Sequence, residues 1–85
     1  MHDHEARSVI ESATERGLSP LRAVREHRGL SRETLARIAR YDLCSLAICE
    51  DHAGVAMPDK TVRLALANCL GVPVQMLFEP RHRAA

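Results

Sequence analysis

The chain has 85 residues and a formal net charge of +1, which bounds it to one small domain without a strongly basic balance. Its aromatic residues are Tyr41 and Phe78 alone, so any core is built from Leu, Val, Ile and Ala. No alternating β-branched run appears and no apolar run approaches bilayer length, which excludes a sheet and a membrane-spanning helix.

In chain order, a first helix is expected near residues 3–16. Asp3 can cap it, Ala6, Val9, Ile10 and Ala13 form its apolar stripe, and Gly17 ends it. Ser19-Pro20 starts a second helix over 20–28, with Ser19 as cap, Pro20 in the first turn, and Leu21 and Val24 inward; Gly29 stops it. Ser31 caps a third helix over 32–39, whose inward residues are Leu35, Ile38 and Ala39. Asp42 caps a fourth over 43–52, with Leu46 and Cys49 inward, followed by a loop through Gly54–Pro58. Asp59 caps a fifth over 59–70. That helix is apolar nearly all round, which predicts a central helix buried by the others, closed by Gly71. A short helical turn follows Pro73 over 73–78, and Glu79–Ala85 reads as a flexible tail.

The charge is unevenly spread. Residues 1–19 carry a net −2, residues 20–78 a net +2 and residues 79–85 a net +1. The mildly basic centre permits phosphate contact without demanding it. Cys44, Cys49 and Cys69 lack metal-ligand spacing and sit in apolar helical patterns, so buried reduced thiols in a cytoplasmic protein are expected. The start Met1-His2-Asp3-His4-Glu5 has no apolar h-region, so a secretory signal is not expected there. No catalytic constellation is visible. An enzyme, a cofactor and a metal site are therefore not expected.

Read in order, Val24-Arg25-Glu26-His27-Arg28-Gly29-Leu30-Ser31, then Leu35-Ala36, Glu50, Pro58-Asp59 and Leu66-Ala67-Asn68-Cys69-Leu70-Gly71-Val72-Pro73 resemble the Cro/C1-type (XRE) helix-turn-helix domain. The likeness spans about two thirds of the chain. It implies an all-α, compact five-helix lambda-repressor-like fold over 20–78, with residues 1–19 as an N-terminal helix extension. It also implies double-stranded operator DNA as partner, a homodimer, and the fourth helix as the reader in the major groove. Arg25 and Glu50 are then a structural ion pair between the second and fourth helices. Ser31, Arg32, Arg40, Ser45 and Lys60 are the phosphate-contacting candidates.

The chain departs from the family in three places. The turn reads Arg40-Tyr41-Asp42 where Gly-Val-Ser is usual, which asks Arg40 for a left-handed backbone or a different turn. The stretch from Glu50 to Pro58 is about three residues longer than usual. The reader positions are Leu43, Cys44, Ala47 and Ile48, none of which can make bidentate hydrogen bonds to a base. That apolar face has three readings: core covered by the N-terminal helix, a protein-binding patch, or a DNA face touching thymine methyls. The function implied is a small dimeric transcriptional regulator. The rival is the same fold turned to binding a protein, as an antiactivator or antitoxin-like partner. Leu43, Ile48, Val55, Met57 and the apolar face of residues 6–13 are the candidates for self-association.

Overall fold

The computed structural model describes residues 3–52 and 58–78; the sequence readings for Gly54, Val55, Met57 and the 79–85 tail fall outside them. Within those residues the chain is all-α and has no strand. Six helices follow in order: α1 (Asp3–Glu15), α2 (Pro20–His27), α3 (Arg32–Ala39), α4 (Leu43–Asp51), α5 (Lys60–Leu70) and α6 (Val74–Phe78). None of them is long and apolar enough to cross a membrane.

The helix starts follow from local side-chain chemistry. Each cap accepts a hydrogen bond from a backbone N–H that the first turn leaves unpaired. Ser19 accepts from the Arg22 amide at 3.2 Å and Ser31 from the Thr34 amide at 3.0 Å. Asp42 accepts from the Ser45 amide at 2.9 Å and Asp59 from the Val62 amide at 3.1 Å. Helix ends follow from backbone freedom. Gly71 closes α5 with φ +72°, and a Cβ there would also sit 3.2 Å from an Arg28 guanidinium nitrogen. Arg40 closes α3 in the same left-handed region, at φ 57° and ψ 47°. It is the one non-glycine residue with positive φ among those described.

The core gathers Ala6 and Ile10 of α1, Leu21 and Val24 of α2, Leu35 and Ala36 of α3, Leu46 and Cys49 of α4, Leu66, Ala67 and Leu70 of α5, then Val72 and Leu77. The hub is α2, which packs on α1, α4 and α6, while α3 packs on α4 and α5. This corrects the expectation that α5 is the buried centre. Thr61, Leu64 and Asn68 share an exposed arc of α5, and only the opposite arc is covered. A helix apolar on all sides does not say which side its neighbours will take.

Two further inward assignments are also corrected. Ile38 is 54% exposed, because the covered arc of α3 is set by Leu35, Ala36 and Ala39, and Ile38 lies beyond its edge. Cys44 is exposed rather than buried, since it stands on the side of α4 opposite Leu46, Cys49 and Glu50. The apolar stripe of α1 is not an open surface for self-association. Ala6, Ile10 and Ala13 are buried and α1 packs on α2.

A left-handed backbone costs an L-residue roughly 1–2 kcal/mol, which glycine largely escapes at some cost in unfolded-chain entropy. Arg40→Gly should therefore stabilise the fold by on the order of 0.5–1 kcal/mol, read from the urea midpoint at unchanged slope. A lower midpoint would show that the Arg40 side chain contributes more than its backbone costs.

Candidate functional site

The best-defined polar cluster lies where α2, α3 and α4 meet. Glu50, in the last turn of α4, has a fully buried side chain. Its Oε2 accepts from Arg25 Nε at 2.6 Å, and its Oε1 accepts from Arg25 Nη2 at 3.0 Å and from Arg32 Nε at 3.1 Å. Arg25 is itself buried, and its Nη1 donates to the Leu30 carbonyl at 2.7 Å, tying down the link between α2 and α3. This bidentate, charge-assisted geometry is what a buried carboxylate requires.

A more exposed rim surrounds that pair. Arg32 Nη2 donates to Asp51 Oδ1 at 3.1 Å, and Arg22 Nη1 stands 3.8 Å from the same oxygen. Arg22 Nε donates to Glu26 Oε2 at 2.9 Å. That hydrogen bond holds the Glu26 carboxyl below its usual range and raises Arg22 in turn. Three arginines and three carboxylates thus balance.

The phosphate candidates fall into separate places. Arg32 is held by Glu50 and Asp51. The Ser31 hydroxyl is engaged with Thr34, accepting from its amide and donating to its Oγ1 at 2.8 Å. Ser45 is half-buried in the first turn of α4. Arg40 is exposed on the turn, and Lys60 is exposed at the start of α5. Neither makes an ion pair among the described residues.

The outer side of α4 is open. Leu43 is 39% and Ile48 48% exposed, Cys44 is exposed and Ala47 half-buried. The reading of this face as core beneath the N-terminal helix is therefore overturned. Helix α1 lies on α2, where its small apolar stripe finds Leu21 and Val24.

Several contacts lie outside the sequence reading. Arg22–Glu26 has the i,i+4 spacing of a helix pair, and that signal was available. Arg28 Nη1 donates to the Leu70 carbonyl at 2.6 Å and Arg63 Nη1 to the Pro58 carbonyl at 2.7 Å, and neither contact has a sequence signature. Of the basic residues in 20–78, Arg22, Arg25, Arg28, Arg32 and Arg63 are thus engaged internally. Arg37, Arg40 and Lys60 remain exposed, a small basic surface. Tyr41, in the turn before α4, places its hydroxyl 3.6 Å from Cys49 Sγ. Burial first, then this thiol contact, push the Tyr41 pKa up to about 12.

Comparison with known proteins finds no family model, no curated protein and no solved structure that matches the chain.

Two outcomes follow from the geometry. Arg25→Ala strands a buried carboxylate and should cost about 3–5 kcal/mol, whereas Asp51→Asn, on the exposed rim, should change stability by no more than about 1 kcal/mol. Urea unfolding of both variants checks the contrast, and equal effects would contradict it. Tyr41 is the chain's single tyrosine and there is no tryptophan, so phenolate absorbance reads it alone. It should titrate near pH 12 in the folded chain. Because folding raises this pKa, the associated stabilisation is complete below the ordinary tyrosine value of about 10 and lost as pH climbs through about 12. A folded-state midpoint near the ordinary value would contradict the burial argument.

Proposed function

We propose that the chain is a small helix-turn-helix regulator that binds double-stranded DNA, as the Cro/C1-type (XRE) domain it resembles does. In this reading α3 supports α4, and α4 is offered to the major groove. One observation carries it. Helix α4 is anchored along one side by Leu46, Cys49 and the Arg25–Glu50 pair, and its opposite side stands open at Cys44 and Ile48, with Leu43 part-exposed in the first turn. The three-residue connection 40–42 between α3 and α4 has the length of the helix-turn-helix turn.

The chemistry of that open side sets the kind of recognition. It has no amide or guanidinium, and α4 has no basic residue in its last turn. Bidentate readout of guanine or adenine is therefore not available to it. Discrimination rests on contacts of Leu43 and Ile48 with thymine methyls and on DNA shape. Arg40 and Lys60, with the hydroxyl of Ser45, supply phosphate contacts, and a second copy of the chain doubles them.

A second reading is favoured by the same exposed side chains. Leu43, Ile48 and Ile38 are large, apolar and uncovered, as a protein-binding face would be. A gel shift on duplex DNA from the chain's own promoter, at two salt concentrations, separates the two. DNA binding requires sequence preference with a clear salt slope. Arg40→Ala should then weaken binding on every sequence and flatten the slope by about one unit, as loss of a phosphate contact does. Leu43→Ala and Ile48→Ala should erode preference at thymine positions while leaving the fold intact. If the parent gives no shift at low salt, and Leu43→Ala or Ile48→Ala abolishes capture of a protein partner, the protein-binding reading replaces this one.

A further inference from the structure

Asp51 is an unusual residue to find where it is. It ends α4, where a carboxylate meets the negative end of the helix dipole. No backbone amide compensates it among the described contacts. Its partners are two guanidinium groups from other helices, Arg32 of α3 at 3.1 Å and Arg22 of α2 at 3.8 Å. Two arginines converging on one oxyanion from separate helices is the arrangement that binds a phosphate.

We infer that Asp51 is an internal stand-in for a phosphate: it holds Arg22 and Arg32 closed in the free chain and yields them when a phosphate oxyanion arrives. The contrast with its neighbour decides which carboxylate moves. Glu50 is fully buried and accepts three guanidinium hydrogen bonds, so an incoming anion cannot replace it without stranding a charge. Asp51 is 43% exposed and accepts one hydrogen bond, and ion pairs of that exposure hold weakly. On release Asp51 turns to water, while Arg32 keeps Glu50 through Nε and presents Nη2 outward. Arg22 keeps Glu26 through Nε and presents Nη1.

The cluster is neutral with Asp51 in place, counting Arg22, Arg25 and Arg32 against Glu26, Glu50 and Asp51. It gains one positive charge when Asp51 is neutralised. The ligand is a phosphate oxyanion, whether a backbone phosphodiester of nucleic acid or free inorganic phosphate. The nucleic-acid source rests on the DNA reading above; the inorganic source does not.

The test compares the parent with Asp51→Asn and with Glu11→Gln, which removes an equal charge from an exposed site on α1. Thermal unfolding is followed against inorganic phosphate at ionic strength held constant with chloride. Asp51→Asn should gain more melting temperature from phosphate than either the parent or Glu11→Gln. Adding Arg22→Ala to it should remove the gain. On duplex DNA, Asp51→Asn should bind several-fold tighter than the parent at low salt, with a slope steeper by about one unit. Asp51→Ser serves as a second neutralising variant should the amide perturb the helix end. A phosphate response without DNA binding by any variant sustains the site and removes the DNA reading. Asp51→Asn and Asp51→Ser behaving like Glu11→Gln toward both phosphate and DNA overturns the inference.

Discussion

The burial of one carboxylate organises this small fold. Glu50 has no exposed side-chain surface, and a charge so placed is tolerated only if its oxygens are fully partnered. Arg25 meets both oxygens and Arg32 adds a third hydrogen bond. Since those residues belong to α2 and α3, satisfying Glu50 fixes α4 against both. Arg25 also closes the α2–α3 link through the Leu30 carbonyl. Among the described residues no buried side-chain nitrogen or oxygen is left without a partner. Leu46 and Cys49 alone could bury α4 in several rotational settings, and the ion pair selects one.

That selection gives α4 two unlike sides. Its sequence is apolar nearly throughout, so apolarity does not choose an inward face. Glu50 turns inward with Leu46 and Cys49, and Cys44 and Ile48 consequently turn outward. The exposed Ile48 is therefore a product of the geometry that buries Glu50, while Leu43 is part-exposed because it stands in the first turn of the helix. Whatever α4 contacts meets a hydrophobic surface, which ties the functional question to the structural one.

The arginines show why residue type alone overstates a basic surface. The central unit is rich in them, yet most are spent on carboxylates and on carbonyls that end helices or loops. Arg28 joins α2 to the end of α5 through the Leu70 carbonyl, a role in which its charge meets the negative end of that helix. With aromatic residues scarce, guanidinium groups do bridging that large side chains carry out in other small domains. The outward potential is correspondingly modest.

Local chemistry was legible in the sequence because it acts within a few residues. Ser19, Ser31, Asp42 and Asp59 each reach an amide three residues on, and glycine or a strained Arg40 permits the left-handed backbone that ends a helix, so the order and extent of the helices could be read off. Arg25 and Glu50 could be paired because their spacing resembles that of a known domain. The facing of each helix was another matter. Periodicity names an arc only when polar residues bound it; α5 is apolar nearly all round, and α3 is too short for Ile38 to be told from Leu35. Whether Arg32 points to solvent or to Glu50 and Asp51 depends on carboxylates 18 and 19 residues away, whose distance only the packed helices set. The sequence by itself determined where helices start and stop; the tertiary structure alone decided which side chains those helices leave exposed, because exposure depends on contacts between segments far apart along the chain.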